Sequence, residues 1–135
     1  MKIVFTDTSY LLALEFKSDQ NHRAAQKHWQ KLQQSPFSLI ITSYVFDETV
    51  TYINSRERHD KAVQIGEKLL CSPSVEIVHV NEDLFFEGWT LFQKYQDKRY
   101  SLTDCISFLV MRQKDLDTAL TFDKHFVQAG FTIEP

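Results

Sequence analysis

"KIVFTDTS", Lys2 to Ser9, decides the fold. A short apolar run, Lys2 to Thr6, passes without a loop into Asp7-Thr8-Ser9, residue types that cap helices. Leu11, Leu12 and Leu14 then continue at helical spacing. A strand that runs straight into a helix is the repeating unit of a parallel sheet.

The pattern recurs along the chain. Asn21 opens a second helix, with Ala24, Ala25, His28, Trp29 and Leu32 at helical spacing, and Pro36 stops it. "SLIIT", Ser38 to Thr42, reads as the next strand and leads into a helix with Val45, Phe46, Thr49, Val50 and Ile53 on one side. Another helix covers Asp60 to Leu70, and "SVEIVHV", Ser74 to Val80, alternates as a half-buried strand does. Asn81 caps a long helix carrying Leu84, Phe85, Trp89, Leu91, Phe92 and Tyr95. "SLTDCISFLV", Ser101 to Val110, opens a further helix, "TALTF", Thr118 to Phe122, is a strand, and "FTI" is a last edge strand. The fold class is α/β: a parallel sheet of four or five strands with helices on both faces.

Composition narrows the possibilities. With 135 residues, 43% of them hydrophobic and eleven of them Phe, the chain is long and apolar enough for one domain, residues 1–135, with its own core. Three Gly and three Pro leave no flexible linker. No apolar run reaches the ~18 residues of a membrane span, and no signal-peptide pattern opens the chain. A cytoplasmic protein is expected. Cys71 and Cys105 lack zinc or redox spacing and read as reduced core thiols. A net charge of −3 and a pI near 5.9 exclude a protein that coats nucleic acid through bulk charge, but not a local basic patch or a metal-bearing cleft.

The carboxylates carry the functional signal. In α/β sheets ligands sit outside the carboxyl ends of the strands, where Asp7 and Asp123 fall. Taken one at a time, Asp7 and Asp123 are helix caps, and Ser101-x-x-Asp104 is a capping box favoured by the helix dipole. Glu48 resists such a reading. At about 100° per residue it lies about 40° from Tyr52 and about 60° from Val45, on the border of a buried face, while Asp47 points to solvent. No Lys or Arg stands three or four residues away to pair with it. A carboxylate so placed needs a partner, and a metal ion can be that partner. Together the four acids offer oxygen ligands suited to Mg²⁺ or Mn²⁺.

"VFTDTSYLLAL", "FDETVTYI", "SLTDCISF" and "LTFDKHF" resemble, in order and separation, the four acidic motifs of the PIN domain. The resemblance spans Ile3 to Phe126, and the length is that of a VapC-type toxin. It implies a three-layer α/β/α fold. It also implies Asp7, Glu48, Asp104 and Asp123 as catalytic, metal-binding acids, with supporting hydroxyl roles for Ser9 and Thr121. The activity implied is RNA cleavage dependent on one or two Mg²⁺ or Mn²⁺ ions, leaving 5′-phosphate and 3′-hydroxyl ends. Implied partners are RNA, a cognate antitoxin and a second copy of the chain. The last also follows from apolar residues on several sides of the Phe85–Tyr95 helix.

Other residues weigh less. His125 reads first as satisfying a local turn, and His22 as a packing residue. Lys98, Arg99, Arg112, Arg56 and Arg58 are a candidate phosphate-gripping rim. A haloacid-dehalogenase-type phosphatase would need a second Asp two residues after Asp7, where this chain has Ser9. A catalytically inactive binding module predicts a missing acid, and none is missing. An RNA-processing nuclease outside any toxin–antitoxin pair would use the same chemistry.

Overall fold

The computed structural model describes residues 1–135. In chain order the elements are β1 (Lys2–Thr6), α1 (Thr8–Glu15), α2 (His22–Leu32), β2 (Phe37–Thr42), α3 (Ser43–Arg56) and α4 (His59–Cys71). Then come β3 (Val75–Val78), α5 (Glu82–Lys94), α6 (Leu102–Gln113), β4 (Thr118–Leu120), α7 (His125–Gln128) and β5 (Thr132–Glu134). All five strands pair in parallel, in the order β3-β2-β1-β4-β5. The chain first builds outward from β1 to β3, then returns to the other side of β1 for β4. The order therefore reverses between β1 and β4, and the connections diverge there to open a crevice.

Strand side chains alternate between two packed layers. Val4, Leu39 and Leu120 join Tyr10 and Ala13 of α1 and Ala25 and Leu32 of α2. Phe5, Ile40 and Ala119 join the larger core with Ile106, Phe108, Val110 and Met111 of α6 and Phe126 of α7. Helices thus cover both faces, as the strand–helix alternation predicts. No helix is long and apolar enough to cross a membrane.

The differences from the sequence reading lie at element ends. β3 stops at Val78, and the Val80 N–H donates to Ser43 Oγ rather than to a strand carbonyl. β4 stops at Leu120 because the next residues fold around Asp7, and the short helix α7 follows them. Cys105 is buried as expected, but Cys71 is exposed. The buried face of α4 is Ala62, Ile65, Gly66 and Leu69, and a residue two positions after Leu69 lies about 200° around the helix.

α5 buries Leu84 and Gly88 and leaves Phe85, Phe86, Trp89 and Phe92 exposed. Gly88 is where α5 lies close against α6: a Cβ there would stand 2.5 Å from Ile106 Cγ1, inside the core. Gly66 differs, since a Cβ there would meet Phe46 and Val50 at 3.4 Å. Gly88→Ala should therefore cost about 1–3 kcal/mol through overpacking. Gly66→Ala should be neutral or gain up to about 1 kcal/mol from helix propensity. Thermal melts of the two variants should move in these different ways.

Candidate active site

The ends of β1 and β4 bring Asp7 and the Thr121–Asp123 segment together. The Asp7 N–H continues the ladder by donating to the Leu120 carbonyl at 3.0 Å. Its side chain caps α1, yet the weak 3.4 Å bond from the Ser9 N–H is the least of its contacts. Ser9 Oγ and Thr121 Oγ1 each donate to Asp7 Oδ2 at 2.9 Å. Both hydroxyls also accept backbone N–H groups, from Phe122 at 3.0 Å and Asp123 at 2.9 Å. The two hydroxyls also lie 3.0 Å from each other, so Ser9, Thr121 and Asp7 Oδ2 form one closed hydrogen-bonded cluster.

Asp104 begins α6 inside a complete capping box. Ser101 Oγ accepts the Asp104 N–H at 2.9 Å, and Asp104 Oδ2 accepts the Ser101 N–H at 3.1 Å. The capping reading and the cleft position are both true of this residue. Beside it, His125 Nδ1 lies 3.2 Å from Asp104 Oδ2 and 3.4 Å from Asp123 Oδ1. Asp123 Oδ1 also accepts the His125 N–H at 2.9 Å. Asp104, Asp123 and His125 each offer a ligand atom within 4.8 Å of the others. In both Asp7 and Asp104 the internal hydrogen bonds fall on Oδ2. Neither Oδ1 has a partner in the chain, and neither is sealed from solvent.

Glu48 corrects one step of the sequence reading. The residue is exposed rather than set on a buried border, and Tyr52 beside it is 40% exposed. Its partner is Thr8, whose hydroxyl donates to Glu48 Oε1 at 2.8 Å from the first turn of α1. Asp47 is solvated as expected and accepts from Thr51 Oγ1 at 3.2 Å.

The carboxyl groups share one electrostatic strain. Burial raises Asp7 to about 6, opposed by the Ser9 and Thr121 hydroxyls and reinforced by Asp104. Lost hydration at the carboxyl end also raises Glu48, opposed by Thr8 and reinforced by Asp104. Burial raises Asp104, opposed by the Ser101 N–H, reinforced by Asp123 and partly relieved by His125. Asp104 is thus coupled to each of the other three acids. Uncompensated negative charge with two open Oδ1 atoms fits a hard divalent cation.

The sequence weighed His125 as a turn residue, whereas the structure sets it between two of the four acids. Its position two residues after Asp123 was the available signal. Thr8 carried no signal, because its partner lies 40 residues away. Of the candidate rim, Arg58 pairs with Asp60 at 3.3 Å and Arg112 lies over the Phe131 ring. Lys98, Arg99 and Arg56 have no carboxylate partner. His22 packs as expected, with Nδ1 2.7 Å from the Ala13 carbonyl.

A family model for the PIN domain matches residues 4–132. The chain is 34% identical over 129 residues to a 23S rRNA-specific endonuclease, VapC20, of Mycobacterium tuberculosis, covering 96% of this chain and 95% of that protein. The crystal structure of M. tuberculosis VapC20, described as a sarcin–ricin loop cleaving toxin, superposes with a TM-score of 0.87 at 32% identity over 98% of this chain and 99% of that one. VapBC2 from Rickettsia felis, bound to a promoter DNA fragment, superposes with a TM-score of 0.70 at 14% identity over 98% and 97% of the two chains, a likeness of fold alone.

The raised carboxyl groups set a pH dependence. Asp7 titrates near 3.8 when unfolded and about 6 when folded. Its stabilising contribution is therefore complete below pH 3.8 and is lost as pH rises through 6. Glu48 and Asp104 act in the same direction. Glu134, held low by Lys2 and His28 against its partial burial, acts oppositely and only below its usual 4.5. Chelator-treated protein should lose stability between pH 5 and pH 7, on the order of 1 kcal/mol from Asp7 alone. Millimolar Mn²⁺ or Mg²⁺ should raise the melting temperature at pH 7 more than at pH 5. Melts indifferent to either ion at pH 7 would remove the metal assignment.

Proposed function

The chain belongs to the PIN-domain family, and on that premise we propose that it is a divalent-metal-dependent endoribonuclease of the cytoplasm, the toxin of a toxin–antitoxin pair. The observation that carries this reading is the set of ligand atoms on Asp104, Asp123 and His125 within 4.8 Å of one another, with Asp7 at the neighbouring strand end held by Ser9 and Thr121. Ribosomal RNA is favoured over tRNA as the structured substrate by the 34% identity to an endonuclease specific for 23S rRNA.

In this reading Asp7 and Asp104 hold the ion, and Glu48 and Asp123 complete or tune its shell. When bound, Mg²⁺ or Mn²⁺, as one ion or two, offsets the carboxylate repulsion and acidifies a water for attack on phosphorus. Ser9 and Thr121 fix one oxygen of Asp7 and leave the other without a partner in the chain. The Ser101 N–H does the same for Asp104. Thr8 orients Glu48, and His125 spaces Asp104 from Asp123. Cleavage leaves 5′-phosphate and 3′-hydroxyl ends.

The partners follow from the same reading. A cognate antitoxin covers the toxin, in keeping with structural neighbours such as a toxin–antitoxin complex from Klebsiella pneumoniae. A homodimer forms through the aromatic side of α5, where Phe86 is 55% and Trp89 45% exposed, a cost in water that a second copy would relieve.

Purified protein with 23S rRNA fragments and structured tRNA should cleave in Mn²⁺ or Mg²⁺ and not in EDTA. Asp104→Asn can still accept the Ser101 N–H, so it should keep the fold, lose cleavage by at least about a hundredfold, and abolish growth arrest on expression. Asp47→Asn should leave activity within about twofold. The opposite result for this pair would overturn the site. Cleavage without growth arrest would favour an RNA-processing nuclease. Light scattering should show a dimer at micromolar concentration, and Trp89→Glu should yield monomer with unchanged secondary structure.

A further inference from the structure

Two ridges run away from the acids and face one another. Thr8, Leu12 and Phe16 follow at four-residue intervals along α1 and its end, and Glu48, Tyr52 and Arg56 do so along α3. Four residues is slightly more than one helical turn, so each set forms a row on one side of its helix. Thr8 meets Glu48 by a hydrogen bond of 2.8 Å, and Phe16 meets Tyr52 edge-on at 5.6 Å. The trough between them is two adjoining depressions of about 460 and 380 Å³ that share Leu12 and Tyr52. It leads from Glu48 to Arg56, roughly 12 Å along the α3 axis.

The trough has an unusual set of groups. Tyr52 is 40% exposed and braced edge-on by Phe16, so its ring is held at the surface. The Arg56 guanidinium lies over that ring, 5.0 Å from its centre. Asp19 and Glu57 line the same end, but Arg56 forms no ion pair with either. The hydroxyls of Thr51 and Ser55 donate within the chain, to Asp47 and to the Tyr52 carbonyl. That leaves Ser18 Oγ and Tyr52 Oη as the lining hydroxyls with no partner in the chain, and Arg56 as the one cation among the lining residues.

We propose that the trough is a nucleobase subsite: Tyr52 and Arg56 receive one unpaired base of the RNA strand leaving the cleaved bond, with a flanking phosphate on Arg56. This rests on the ribonuclease reading. Aromatic rings and guanidinium planes stack splayed-out bases of single-stranded loops. The acids lining the trough repel phosphates and tolerate a neutral base, so the backbone passes outside, within reach of Arg56, the one cation among the lining residues. A basic protein segment would suit those acids but would meet the unpaired guanidinium at the far end.

The test pairs protein variants with RNA hairpins, derived from a substrate that the protein cleaves, in which one loop nucleotide at a time is abasic. Wild-type protein should lose about tenfold in kcat/KM, through KM, at one abasic position near the cut, the scale of one stacked base. Tyr52→Ala should lose the same factor on intact RNA and become insensitive to that abasic position, a non-additive cycle. Tyr52→Phe should behave as wild type, and Arg56→Ala should raise KM several-fold with kcat unchanged. Both positions are exposed, so melting temperatures should hold. Additive losses at every position, or wild-type cleavage by Tyr52→Ala and Arg56→Ala, would overturn the subsite and leave the nuclease standing. Normal cleavage with lost silencing by co-expressed antitoxin would make the trough a protein groove instead. Wild-type protein that cuts no RNA in Mn²⁺ would remove the nuclease reading itself.

Discussion

Carboxylate repulsion at one edge of a parallel sheet is the constraint around which the surrounding structure is arranged. Asp104 feels Asp7, Glu48 and Asp123 together, in a place where burial has already removed much of the water that would screen them. The chain answers with neutral donors rather than salt bridges: two hydroxyls on Asp7, one on Glu48, and a backbone N–H on Asp104. No Lys or Arg comes within ion-pair distance of any of the four, and the one basic side chain that does is His125. Neutral donors orient a carboxylate without cancelling its charge. The charge is left available to a cation from outside.

Helix capping and ligand binding are here the same geometry. A helix that leaves a parallel strand, like α1, or leads back into one, like α6, has its N-terminus toward the carboxyl edge, where unpaired N–H groups favour an acid. Asp7 caps α1 and Asp104 closes a capping box on α6, and in each the cap uses one oxygen. The second oxygen has no partner in the chain and is not sealed from solvent. A capping signal is therefore no evidence against a site in this architecture.

The acidic balance of the chain bears on how RNA would be held. Lys98 and Arg99 stand just before Ser101, and Arg56 stands beyond Glu48, so unpaired cations lie on two sides of the acids. Few contacts of this kind give a weak dependence on salt. Discrimination then falls to shape and to bases exposed in loops, which is the kind of readout a surface tyrosine ring supplies.

The strand–helix alternation and the order of the acids were legible in the sequence because both are local or linear. "KIVFT" followed by "DTS" defines a strand and a cap within eight residues, and the parallel α/β class follows from repeating that unit. Solvation of Asp47 was likewise readable from helical angle alone. Tertiary structure decided what depends on distant partners. Thr8 and Glu48 meet across 40 positions, Thr121 and Asp7 across 114, and His125 and Asp104 across 21 between separate helices. Helical periodicity also placed Glu48 on a buried border, because it shows which face of α3 turns inward but not which neighbouring element covers each position on it. Periodicity constrains a residue against its own element; only packing between elements determines what it faces.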